Sequence, residues 1–165
     1  MTLALWRITV VALMLASAGR SLHATERMPV PDITLVDRHG AARQAPAVAR
    51  AGTWLLVVAE PGCTSCDVML DAATAAASEA GGGVIVVLAG GAAADIEAAS
   101  QRWPALAETS WFLADRTTVT EVFRLTTRGA IVGVRDGTVE WSLSGVITNP
   151  ADLRTLCGAW LATPP

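Results

Sequence analysis

The 165-residue chain reads as an α/β domain built on a mixed sheet flanked by helices, and three observations carry that expectation. Short, continuous apolar runs alternate with helix-length segments, the pattern of a mostly parallel sheet covered on both faces. An Asp136-Gly137 dipeptide between two extended runs marks a hairpin near the C-terminus, and so an antiparallel edge. The extended piece Asp32 to Val36 runs into a turn at Asp37 to Gly40, which marks a second hairpin ahead of the core.

Each element has its own local justification. Trp54 to Ala59 is unbroken apolar sequence of strand length, as expected of a strand buried on both faces. A helix over Cys63 to Ala80 follows from its alanines, with Met69, Ala72, Ala73 and Ala76 on one face and Gly81 to Gly83 as the stop. Val84 to Leu88 is the next buried strand. Gly90 and Gly91 lead into a helix over Ala93 to Trp103, which aligns Ile96, Ala99 and Trp103 and is closed by Pro104. Ser110 to Leu113 makes a short third strand, and Thr118 with Glu121 forms a capping box for a helix reaching Leu125. Gly129 to Arg135 and Thr138 to Leu143 are the hairpin arms, with Val139, Trp141 and Leu143 alternating inward. Asn149 as N-cap and Pro150 at the first helical position open the last helix, which ends near Ala162. Its stripe of Leu153, Leu156, Cys157, Trp160 and Leu161 has the spacing of a buried helical face.

Met1 to Ala24 reads as an export segment. A start containing Arg7 leads into the apolar run Ile8 to Ala16, and Ala16-Ser17-Ala18 or Leu22-His23-Ala24 offers small residues for cleavage. The run is shorter than the ~20 residues that span a bilayer; extended back to Leu3, it becomes an uncleaved anchor. Both outcomes place residues 25–165, read as one domain, outside the cytoplasm: periplasmic or secreted, free or held at the inner membrane. Every basic residue is an arginine. Loss of Arg7 and Arg20 from the 12 leaves 10 against 15 acids, a formal charge of −5, which argues against nucleic acid as a partner.

The chemistry concentrates in Cys63-Thr64-Ser65-Cys66, at the junction of the first buried strand and its helix. Two thiols on one helical turn can form and break a disulfide, and the unsatisfied N–H groups of a helix N-terminus favour a thiolate. Cys63 is the expected nucleophile and Cys66 the resolving thiol; a static structural disulfide is the alternative. Glu60, the nearest carboxylate in sequence, is a candidate to take the Cys66 proton, with an exposed loop acid as the plain alternative. Cys157, on the apolar stripe, is expected to be buried and inert. His39 stands alone in a turn and reads as a surface residue. No cofactor is expected. Paired thiolates also suit soft ions such as Cu(I), so copper delivery is a second function class, whereas a four-ligand zinc site lacks a second Cys or His cluster.

Taken together, Pro31-Asp32-Ile33-Thr34-Leu35 with Asp37 and Gly40, then Glu60-Pro61-Gly62-Cys63-Thr64-Ser65-Cys66, then Val132 to Gly137, resemble exported thioredoxin-like proteins of the TlpA/ResA and MauD type. The resemblance runs from about residue 29 to 162. It implies a thioredoxin-like fold with an N-terminal hairpin extension, and thiol-disulfide exchange on protein clients, with disulfide reduction as the expected direction. It also implies a thiol electron donor, membrane-bound in some members, and often a role in maturing cytochrome c or a periplasmic enzyme. The chain departs from the pattern at Gly62, where such proteins commonly carry Trp; Pro61-Gly62 looks more like the MauD variety. The loop equivalent to the family's cis-proline loop is Thr127-Arg128-Gly129-Ala130, without proline. Because that loop docks substrate peptides in the family, Arg128 and Gly129 are candidate client contacts, with Arg128 a further candidate to stabilise a thiolate. The family's buried acid falls at Val57-Val58 and is absent. These departures leave room for a third class, a thioredoxin-like assembly factor for a periplasmic redox enzyme.

Overall fold

In a computed structural model of the chain, residues 27–80, 82–106, 110–145 and 149–163 are described. The export segment and Gly81 lie outside them. Among the described residues, no helix is long and apolar enough to cross a membrane. The elements in chain order are β1 (Met28–Pro29), β2 (Thr34–Asp37), β3 (Ala42–Gln44), α1 (Ala45–Val48), β4 (Thr53–Ala59), α2 (Thr64–Ala80), β5 (Gly83–Ala89), α3 (Ala93–Arg102), β6 (Trp111–Ala114), α4 (Arg116–Val122), β7 (Gly129–Arg135), β8 (Thr138–Ser144) and α5 (Pro150–Ala162).

These strands form one mixed sheet in the order β1-β8-β7-β4-β5-β6-β2-β3. The centre is parallel, β4 with β5 and β5 with β6, as the alternation of strand and helix requires. The predicted N-terminal hairpin is β2-β3, which adds antiparallel to β6 at one edge. The predicted C-terminal hairpin is β7-β8, and it lies antiparallel to β4 on the other side.

The apolar runs divide by the two-residue period of a strand. Leu55, Val57 and Ala59 of β4 face one core with Val84, Val86 and Leu88 of β5, joined by buried side chains of α2, α3 and α5. Leu56 and Val58 face the other core with Ile85, Val87, Val132 and Val134, closed by Ala45 of α1 and Val119 of α4. The predicted face of α2 is buried in full at Met69, Ala72, Ala73 and Ala76.

Three local expectations are corrected. Helix α4 is capped by Asp115, not Thr118: the Asp115 carboxylate accepts from both the backbone N–H and the hydroxyl of Thr118, each at 2.8 Å. Those bonds hold the Asp115 carboxyl below its ordinary range, and the helix ends at Val122, short of Leu125. In β8, a register shift leaves Val139 opposite Val134 but Trp141 opposite Gly133, so Glu140 is the extra residue. This bulge puts Val139 in one core and Trp141 against the other, where it meets Trp160 edge-on at 5.7 Å. Leu143 is left exposed. Leu156 is 44% exposed, because the buried face of α5 consists of Leu153, Cys157 and Leu161.

Cys157 is fully buried, as the stripe predicts, and burial pushes its thiol from 9.0 up to about 11. In the oxidised native protein, alkylation at pH 8 should leave Cys157 unmodified, and denaturation should expose one reactive thiol. Because the folded thiol titrates above the unfolded one, its contribution to stability is complete below pH 9 and is lost as pH rises towards 11. Urea unfolding across that window in Cys157→Ala should lack this component of the decline.

Candidate active site

The site begins where β4 ends. After Ala59 the chain turns through Glu60, Pro61 and Gly62, with the Cys63 N–H donating to the Glu60 carbonyl at 3.2 Å. Gly62 has φ +70°, a left-handed conformation that L side chains rarely adopt. Space is open around a Cβ built there, so backbone strain rather than crowding is what disfavours a side chain at this position.

Cys63 stands at the N-cap of α2. Its carbonyl accepts from the Cys66 and Asp67 N–H groups, and its Sγ accepts from the Cys66 N–H at 3.2 Å. That second bond is the side-chain cap usually made by a Ser or Asp oxygen, here made by sulfur. The Ser65 hydroxyl lies 3.4 Å from the same sulfur. Cys63 and Cys66 are joined in a disulfide with their Cα atoms 5.2 Å apart, and both residues are buried, at 4% and 1% exposed.

Cys66 has different surroundings. Its Sγ is 3.4 Å from the carbonyl of Arg128, in the loop that leads into β7. Gly129 pairs with Ala59 at the end of the β4-β7 ladder, and a Cβ built on it would stand 2.6 Å from Cys66 Sγ and 3.2 Å from the Val58 carbonyl. Glycine is what allows β7 to close against the sulfur. No cis peptide bond occurs among the described residues.

Charged groups gather beside this pair. Glu60, only 13% exposed, accepts on one carboxylate oxygen, Oε2, from Arg128 Nε at 2.7 Å and from an Arg116 Nη at 3.0 Å. Arg128 also donates to the Pro61 carbonyl at 3.2 Å. Its guanidinium is therefore committed to Glu60 and Pro61, and it is the Arg128 backbone that reaches the cysteines. Glu60 makes no hydrogen bond to Cys66, although both line an open cavity of about 200 Å³ with Asp67, Leu70, Arg102 and Trp103. No buried polar or charged residue occurs among the described residues, and Val57 and Val58, where the resemblance would set an acid, are buried in the two apolar cores. The two cysteine sulfurs could act as a soft donor pair only after reduction of their disulfide, and no group of three or more His, Cys, Asp or Glu side chains converges among the described residues.

Two participants escape a reading of the sequence. Ser65 was visible only as filler between the cysteines. Arg116 carries no motif, but it follows β6 directly and so lies at the same carboxyl edge of the parallel strands as Glu60, where sites of open α/β sheets gather. Replacing Gly129 by Ala should cost about 1–3 kcal/mol in urea unfolding through overpacking. Combining it with Cys66→Ala should recover much of that loss relative to Cys66→Ala alone; an unchanged cost would place the clash at the Val58 carbonyl instead.

No protein-family model and no curated protein sequence matches the chain. Solved structures do match its fold. A secreted Mycobacterium tuberculosis disulfide oxidoreductase, described as homologous to E. coli DsbE, superposes with a TM-score of 0.60 at 13% identity, over 78% of this chain and 96% of that one. A thioredoxin-family thiol:disulfide interchange protein from Chlorobium tepidum gives 0.61 at 11% identity, over 83% and 98%. BsSco, of the Sco family of cytochrome c oxidase assembly proteins, gives 0.58 at 15% identity, over 82% and 95%. With its sheet order, its N-terminal hairpin and a disulfide at the β4-α2 junction, the chain has the thioredoxin-like fold of the thiol:disulfide interchange proteins.

Proposed function

We propose that the protein is an exported thiol-disulfide oxidoreductase that reduces disulfides in protein clients through Cys63 and Cys66. The observation that carries this reading is the asymmetry between the two sulfurs. Cys63 Sγ receives a backbone N–H, has a hydroxyl beside it and sits at the positive end of the 17-residue helix α2. In the reduced pair these groups favour a thiolate there. Cys66 Sγ faces a carbonyl, which accepts from a thiol and repels a thiolate.

In the first step the Cys63 thiolate attacks a client disulfide: the Cys63 to client bond forms, the client S–S bond breaks, and one client thiolate leaves. Cys66 then gives up its proton and attacks Cys63 Sγ. The Cys63 to Cys66 bond forms, the mixed disulfide breaks, and the client departs reduced by two electrons. A thiol donor restores the pair. Glu60 takes the Cys66 proton through water in the cavity they share. The loop at Arg128 and Gly129, beside the sulfurs, receives the client chain. Residues 1–24 act as the signal or anchor, and residues 25–165 work in the periplasm or outside the cell.

Rates and trapping test these assignments. After reduction, Cys63 should react with iodoacetamide at pH 7 at least about tenfold faster than an ordinary thiol; a rate as slow as that of Cys157 rejects it as nucleophile. Cys66→Ser should accumulate clients disulfide-linked to Cys63, and Cys63→Ser should not. Glu60→Gln should leave Cys63 alkylation fast while slowing release of the mixed disulfide by ~10-fold or more; an unaffected release step would remove Glu60 from proton transfer.

A second reading, an assembly factor, is favoured by the apolar core at Val57 and by the likeness of the fold to BsSco. Clients recovered only non-covalently from Cys66→Ser would support it. Stoichiometric copper on the reduced protein would instead support copper delivery.

A further inference from the structure

Beside the disulfide, one carboxylate is shared by two guanidiniums. Glu60 Oε2 binds Arg128 at 2.7 Å and Arg116 at 3.0 Å, which leaves this group with one net positive charge. Of the other carboxylates lining the neighbouring cavity, Asp67 is neutralised by Arg102 at 2.7 Å, whereas Asp95 accepts from the Ala92 N–H at the start of α3 and keeps its charge. Glu60 is nearly buried, whereas the side chains of Arg116 and Arg128 are 55% and 56% exposed. The acid thus works inward as a clamp, and the two cations present their remaining N–H donors to solvent.

The clamp is tied to the reacting atoms through the backbone. The Arg128 carbonyl faces Cys66 Sγ, and its guanidinium holds the Pro61 carbonyl two residues before Cys63. Arg116, on α4, extends the same positive group across to β6. A client disulfide attacked by Cys63 comes to a site bordered by this rim, on a protein whose overall formal charge is negative, −3. Such a local patch against an opposite background selects partners and speeds encounter more than it adds affinity.

We propose that Arg116 and Arg128, held by Glu60, form a recognition site for acidic residues flanking the client's cysteine, so that the preferred clients carry Asp or Glu beside the disulfide they present. This deepens the oxidoreductase reading and rests on it. Glu60 acts here as a positioning residue for the two arginines.

The test uses the prereduced protein and three disulfide-bearing peptides of equal length, with Asp/Glu, Ser or Lys flanking the cysteine. Each rate is divided by that of dithiothreitol with the same peptide, so that the intrinsic effect of flanking charge cancels. The acidic peptide should exceed the neutral one by about three- to tenfold at ~20 mM salt, and by less than about twofold at ~0.5 M. Arg116→Gln should cut the acidic-to-neutral ratio at low salt by at least about half. Arg154→Gln, which removes a cation paired with Glu79 on the α2-α5 surface, should leave that ratio intact. Equal normalised rates for acidic and neutral peptides, or a preference unchanged in Arg116→Gln, overturn this proposal while leaving the exchange activity standing. Failure of all three peptides to react overturns both.

Discussion

The antiparallel ladder between β4 and β7 brings the Arg128-Gly129 loop to the disulfide. It runs from Thr53 opposite Arg135 to Ala59 opposite Gly129, joining residues 70 to 82 positions apart in the chain. At its end the backbone of Arg128 and Gly129 arrives against Cys66 Sγ, and the Arg128 side chain arrives against Glu60. A shift of one residue would turn every side chain of β7 to the opposite core, so the hydrophobic pattern that fills the two cores also holds the register of the site. Packing and chemistry are the same constraint here, expressed at the middle and at the end of one ladder.

The electrostatics of the site are carried by the backbone more than by side chains. Cys63 receives an N–H and a helix N-terminus, and Cys66 receives a carbonyl, so the two sulfurs differ without a buried charge nearby. Backbone dipoles are fixed by the fold and need no protonation state of their own, so the asymmetry does not depend on a buried acid. Charge appears one layer further out, where Glu60 gathers Arg116 and Arg128 at the rim. The interior of the site gives the two sulfurs different surroundings, and the rim is where the proposed recognition of a client would take place.

Much of this was legible in the residues. The unbroken apolar runs at Trp54 and Val84, the alanine helix after Cys63 and the Asp136-Gly137 turn predict the sheet and its edges, because each reports a local preference that the tertiary structure obeys. The misplacements share a cause. Asp115 displaced Thr118 as cap because a carboxylate accepts two bonds at once. Trp141 changed faces because a bulge at Glu140 breaks the two-residue period. Leu156 was assigned to a buried stripe that is wider than the surface α2 provides. In each case two local solutions were available, and only the packed neighbour distinguished them.

By itself, the sequence determined that a Cys-x-x-Cys pair would stand at the start of a helix behind a buried strand, because hydrophobic period, helix propensity and turn chemistry are properties of neighbouring residues. It determined also that Cys157 would be buried. What the tertiary structure alone decided was the company the pair keeps. Glu60 lies against Arg116 and Arg128 rather than against Cys66, the Arg128 carbonyl rather than its guanidinium faces the sulfur, and Gly129 is glycine because of an atom sixty-three positions earlier. Those contacts join residues far apart in the chain, and no local preference encodes them. They follow from the strand register and the closeness of packing, which exist only once the sheet is assembled.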